Sequence, residues 1–142
     1  MSLLRDYIKS QIIKFEGTEV NEIKTKSDII AQHYFKISKT ELYINDITLS
    51  KRDIINLDSM FAQLYQNKPV QHITGETYFY NDKFLTPPGV FIPRPETELL
   101  VDIAVEFLSR SKDNLKIIDF CTGSGCIVLS IAKKFPNHEY IG

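Results

Sequence analysis

Apolar residues recur at spacings of three and four along the first part of the chain. Leu3, Leu4, Tyr7, Ile8, Gln11, Ile12 and Phe15 fall on one face of a predicted helix, with Gly17 closing it. Ser27 is predicted to cap a second helix, whose inward face would be Ile29, Ile30, His33, Tyr34 and Ile37. His33, among isoleucines and a tyrosine, reads as a hydrogen-bonded core histidine. A short helical piece is predicted over 40–44. Ser50 with Asp53 three residues on has the form of a capping box. The helix behind it would bury Ile54, Leu57, Phe61, Leu64 and Tyr65 and end before Pro69. Amphipathic helices joined by short polar loops predict a small bundle.

The period changes at Pro69. Thr77–Tyr80, a turn at Asn81-Asp82, and Lys83–Thr86 predict a hairpin with Tyr78 and Tyr80 on one side and Phe79 on the other. Its aromatic residues are expected to pack between two domains. Pro93 and Pro95 flank Arg94 and predict a stiff extended segment. Pro95 suits the first turn of a helix running to about Arg110, burying Leu99, Leu100, Ile103, Phe107 and either Ala104 or Val105. A strand over 115–120, a helix over 125–135 and a strand starting at 139 open a parallel α/β sheet.

Composition narrows the class. At 142 residues, with 43% hydrophobic and 25% charged residues, the chain fits one soluble domain or a small domain plus part of another. No apolar run reaches the roughly 18 residues a membrane span needs, and the first ten residues lack a signal peptide's apolar core. A cytoplasmic protein is expected. The net charge of −1 leaves no basic surplus for phosphates, so direct nucleic-acid binding is not expected. Cys121 and Cys126 read as reduced thiols, and the scattered His33, His72 and His138 match no zinc spacing, so no metal is expected.

The candidate chemistry lies in Asp119-Phe120-Cys121-Thr122-Gly123-Ser124-Gly125, after the first buried strand. A ligand at a strand's carboxyl end lies against backbone, so side chains there must be small. The helix that follows offers free N–H groups to an anionic group. A dinucleotide loop wants a third glycine where Val128 stands, and a P-loop wants Gly-Lys-Ser/Thr where Gly125-Cys126-Ile127 stands. What remains is acid-x-small-x-Gly-x-Gly, the pattern of an S-adenosylmethionine loop. A glycine-rich turn with only a packing role, and Asp119 as a turn-capping acid, stay open as alternatives.

His72-Ile73-Thr74-Gly75, Phe79, the run Val90-Phe91-Ile92-Pro93-Arg94-Pro95-Glu96-Thr97-Glu98 and the 119–125 loop together resemble the release factor glutamine methyltransferases, the PrmC/HemK family. The resemblance covers nearly the whole chain. It implies an α+β fold in two parts: a helical bundle over 1–68 that engages the release factor, a β-hairpin linker over 69–92, and over 93–142 the first strand and helix of a truncated Rossmann-like (class I) methyltransferase domain. It implies S-adenosylmethionine as cofactor, held by Cys121, Thr122, Gly123, Ser124 and Gly125 with Asp119 behind them. Pro93, Arg94, Pro95, Glu96 and Thr97 would lie beside the pocket. The implied reaction methylates the side-chain nitrogen of the glutamine in the Gly-Gly-Gln motif of class I peptide-chain release factors, by an enzyme that is monomeric when intact.

Two departures stand out. Cys121 occupies a position that is usually glycine in the family. The acid that would bind the ribose and the Asn-Pro-Pro-Tyr that would grip the amide do not occur within the 142 residues, so the chain itself is expected to be inactive. A glutamine methyltransferase acting on a ribosomal protein, a DNA amino-methyltransferase and a non-catalytic protein-binding module are the rival readings.

Overall fold

The computed structural model describes residues 2–15 and 19–142, so the predicted stop at Gly17 lies outside the described residues. The chain forms two compact units that divide between Thr74 and Gly75.

Among its described residues the first unit holds five helices: α1 (Leu4–Ile13), α2 (Val20–Phe35), α3 (Lys39–Ile44), α4 (Lys51–Tyr65) and α5 (Val70–Thr74). α2 packs against each of the other four. The core is built from Leu4, Ile8, Ile30, Leu57, Phe61 and Leu64, and burying each such side chain contributes roughly 1.5–3 kcal/mol. Residues 70–74, expected within the hairpin linker, form α5 instead. Val70 belongs to the bundle core, and the Thr74 hydroxyl donates to the Val70 carbonyl. The bundle's N-terminal edge is fastened by chain pairing: the Leu4 N–H donates to the Ile47 carbonyl and the Leu49 N–H to Ser2.

α2 departs from expectation. Ser27 is no cap; it is fully buried in mid-helix, and its hydroxyl donates to the Ile23 carbonyl at 2.8 Å. The helix starts two turns earlier because Ile23, the one apolar residue of that stretch to be buried, anchors it. The buried face is therefore Ile23, Ser27, Asp28, Ile30 and Ala31, with the predicted Tyr34 and Ile37 packed half-buried against the core, while Ile29 points outward and His33 is half-buried. The Ser50–Asp53 capping box forms as predicted, and Ser38 with Glu41 forms a second one at α3.

The second unit starts with the hairpin β1 (Glu76–Phe79) and β2 (Asp82–Leu85), paired antiparallel with Phe79 opposite Asp82. The turn residues are Tyr80 and Asn81, at φ +51° and +66°, one position earlier than predicted. Positive φ at both central residues matches the twist of the strands, and this places Tyr80 in the turn rather than in the strand beside Tyr78. Phe79 and Phe84 meet edge to face and enter a core with Val101, Leu108, Cys126 and Ile131. The hairpin thus packs within its own unit on that face, and Tyr78 on the other is 71% exposed.

A 3-10 turn over Pro95–Thr97 leads into α6 (Glu98–Ser109). Then β3 (Lys116–Ile118), α7 (Cys126–Lys134) and β4 (Glu139–Ile141) follow, with β3 and β4 parallel. The predicted inward face of α6 is corrected. Val101 and Leu108 are buried and the predicted Ala104 and Val105 pack half-buried beside them, whereas Leu99, Leu100, Ile103 and Phe107 are exposed. α6 is apolar on most of its circumference, so its period alone does not choose the side that faces the hairpin and α7. The fold is therefore α+β. No helix among the described residues is long and apolar enough to cross a membrane.

Candidate functional site

The 119–125 loop is fixed at both ends by secondary structure. At its start, the Asp119 N–H donates to the Ile141 carbonyl at 2.8 Å, extending the β3–β4 ladder by one residue. At its end, the Gly125 carbonyl accepts the Leu129 N–H at 2.9 Å, the first bond of α7. Between them the backbone adopts left-handed angles at alternate residues: Cys121 at φ +62°, Gly123 at +57° and Gly125 at +76°. The Gly125 N–H closes the turn on the Thr122 carbonyl at 2.8 Å. These angles explain two glycines directly, since a residue with a Cβ is strained there.

The surroundings of the two glycines differ. A Cβ at Gly125 would meet Leu129 Cδ1 at 3.1 Å, so this glycine also lets the helix's first turn close. A Cβ at Gly123 would meet nothing nearer than the Cys121 carbonyl at 3.8 Å. The Gly123 side of the loop is open space bounded by bare backbone. α7 begins at Cys126 without a side-chain cap, and its first N–H groups have no acceptor within the helix. This combination fits a small ligand with an anionic end.

Asp119 is not a freely pointing acid. Its Oδ2 accepts the Thr122 hydroxyl at 3.0 Å, which orients the half-buried carboxylate. Thr122 is itself confined from behind. A Cβ on Gly142 would lie 2.8 Å from Thr122 Oγ1 and 3.1 Å from Val128 Cγ1, so the end of β4 passes tightly behind the loop. The sequence carried no signal for the approach of Gly142, because it arises from the parallel register of strands with a helix between them. Cys121 is exposed and Cys126 buried, both as free thiols.

The second candidate segment, Pro93–Thr97, is extended at Arg94 (φ −96°, ψ 143°) and then turns tightly, the Thr97 N–H donating to the Arg94 carbonyl at 3.0 Å. The Arg94 guanidinium lies 5.8 Å from the Phe91 ring centre. Arg94, Pro95 and Glu96 are exposed, while Pro93 and Thr97 are half-buried. Among the described residues, no hydrogen bond or ion pair joins this segment to the 119–125 loop.

The hairpin turn engages the helix that follows each segment. The Tyr80 N–H donates to Glu98 Oε1 at 2.8 Å and its hydroxyl to Asp102 Oδ1 at 2.6 Å, both on α6. The bond to Asp102 holds the phenol above its ordinary pKa. On α7, Lys134 Nζ sits 5.0 Å from the Tyr80 ring centre, and Lys133 Nζ pairs with Asp82 at 2.5 Å.

Residues 8–75 match the family model of the PrmC N-terminal domain. The chain is 39% identical over 138 residues to a protein of Thermodesulfovibrio yellowstonii named release factor glutamine methyltransferase, a match covering 96% of this chain and 48% of that protein. Proteins of the same name from Flavobacterium psychrophilum and Bacteroides thetaiotaomicron are 38% and 33% identical, covering 82% and 96% of this chain and 42% and 48% of theirs. The chain spans about half the length of the curated relatives it matches.

Proposed function

We propose, from the match of residues 8–75 to the PrmC N-terminal domain and the chain's similarity to proteins named release factor glutamine methyltransferase, that it supplies the substrate-docking bundle and the cofactor loop of an S-adenosylmethionine-dependent protein-glutamine methyltransferase. The observation that carries this reading is the loop of Cys121, Gly123 and Gly125, bare on one side between a parallel strand and a helix N-terminus.

S-adenosylmethionine, when bound, supplies an electrophilic methyl group on a sulfonium. The protein's part is to hold and orient. Thr122, Gly123, Ser124 and Gly125 would present backbone to the ligand, and the amides at the start of α7 would favour its carboxylate. Asp119, steered by Thr122, would balance its positive end. Pro93, Arg94, Pro95, Glu96 and Thr97 would border the same pocket, in a Rossmann-like arrangement of which β3, α7 and β4 are the opening. The substrate would be the glutamine of the Gly-Gly-Gln motif in class I release factors, engaged through the bundle, in the cytoplasm and by a monomeric enzyme. An amide nitrogen is a weak nucleophile, because its lone pair is shared with the carbonyl. Holding it in line with the methyl–sulfur bond is accordingly the main demand on such a site.

Calorimetric titration of the chain with S-adenosylmethionine tests the cofactor loop. Heat with that ligand, none with a nicotinamide dinucleotide, and loss of the signal in Gly123→Val are expected. The reverse preference would remove the reading. Capture of a class I release factor, but not of a ribosomal protein or DNA, by the immobilised chain tests the substrate side.

A further inference from the structure

Tyr80 is an unusual residue for its place. It takes the first central position of a two-residue hairpin turn at φ +51°, where glycine or asparagine is the unstrained choice. A bulky residue persists at such an angle only where its surroundings over-determine it. They do so here through three groups. Glu98 and Asp102 stand one turn apart on the same face of α6 and receive the Tyr80 N–H and hydroxyl, while Lys134 of α7 lies over the ring.

The position of Glu98 gives this arrangement a consequence. Glu98 follows Thr97 directly, and its own N–H closes the 3-10 turn on the Pro95 and Glu96 carbonyls. The chain leaves the hairpin at Leu85, runs through Pro93–Thr97 and returns to the hairpin turn through the Glu98 side chain. Residues 86–97, between β2 and Glu98, are thereby a connection held at both ends. The same turn is tied to α7 through Asp82 and Lys133. Among the described residues the two candidate cofactor segments share no hydrogen bond or ion pair, yet each runs into a helix held by this turn.

We propose that Tyr80 and Glu98 form a latch that sets the Pro93–Thr97 segment against the 119–125 loop, making both positioning residues for the methyl transfer; the link to that reaction rests on the cofactor reading above.

Hydrogen exchange on the full chain tests the latch without any ligand. Glu98→Ala is expected to speed exchange at the Tyr80 and Thr97 amides about tenfold, and Glu98→Gln, which keeps the acceptor oxygen, less than about threefold. Tyr80→Gly keeps the N–H that Glu98 accepts, so in it Thr97 and Glu98 should stay within about threefold of wild-type exchange. Faster exchange there, wild-type rates in Glu98→Ala, or like behaviour of the two Glu98 variants would overturn the latch. Should Glu98→Ala not fold, Glu98→Leu, which likewise lacks the acceptor, is measured instead. In calorimetry with S-adenosylmethionine, Glu98→Ala should weaken binding about tenfold and Glu98→Gln restore it to within about threefold, and equal affinities would overturn the positioning role. No heat from the wild-type chain would dispose of the cofactor reading only, leaving the latch to the exchange rates.

Discussion

Cys121 holds a left-handed backbone angle that costs a residue with a Cβ about 1–2 kcal/mol, and it does so on the exposed side of the loop. Glycine would remove that strain, but it costs about 0.5–1 kcal/mol through the freedom it adds to the unfolded chain. Cys121→Gly should accordingly be neutral or stabilise by up to about 1.5 kcal/mol, whereas Cys121→Val, branched at Cβ, should destabilise by about 1–3 kcal/mol in urea unfolding. The opposite order would mean the loop does not keep this geometry in solution. A second residue-scale case lies in the bundle. The buried Asp28 carboxylate accepts the Tyr43 hydroxyl at 2.6 Å, and desolvation, with that hydrogen bond second, pushes the phenol up to about 12. A group whose pKa is raised on folding stabilises below its unfolded value and loses that contribution as pH climbs through the folded one. Tyr43 should therefore cost the fold stability between about pH 10 and 12. Tyr43→Phe should flatten that alkaline fall and cost about 1 kcal/mol at neutral pH, read by thermal melts across the range.

Two helices carry complete capping boxes, Ser38 with Glu41 at α3 and Ser50 with Asp53 at α4. In each, the serine oxygen accepts the N–H three residues on, and the acid reaches back to the serine N–H. Replacing either serine by alanine should cost about 1 kcal/mol. The bonds to Ser50 hold the Asp53 carboxyl below its ordinary value of 3.8, as the bonds to Ser38 hold Glu41 below 4.5. For acids depressed by folding, the stability is present above those ordinary values and fades as pH falls below them. Asp53→Asn should make the acid limb of the stability curve shallower than wild type; an unchanged limb would show that the box is open in solution. The Ser50 box was readable because an apolar helical face starts immediately after it. The Ser38 box was not, since α3 is six residues long and buries only Leu42. The start of α2 was missed for a related reason: its first turns are held by Ile23, and Ser27 has a cap's chemistry in a buried mid-helix place. At the candidate site, the glycines and their strand–turn–helix setting were legible from local sequence. The close pass of Gly142 was not, because strand register brings it behind the loop, whereas the Thr122–Asp119 bond spans three residues and fits the turn-capping alternative held open for Asp119.

The second unit has a core that is small and one-sided. Phe79, Phe84, Val101, Leu108, Cys126 and Ile131 are buried together, while Leu99, Leu100, Ile103 and Phe107 stand on the open side of α6. Spacing cannot separate these sets, because a helix apolar on most of its circumference offers more than one inward face. Burial decides between them energetically. Val101 is 0% exposed, so Val101→Ala removes two carbons from packed surroundings and should cost about 2 kcal/mol. Phe107 is 68% exposed, and Phe107→Lys should shift stability by less than about 0.5 kcal/mol. A charge there also breaks the apolar patch, so the variant should stay soluble at higher concentration than wild type. Thermal unfolding with light scattering on both variants reads the two effects separately. If Phe107→Lys proves as costly as Val101→Ala, α6 is seated on the other face, and the bonds from Tyr80 to Glu98 and Asp102 would have to be abandoned with it.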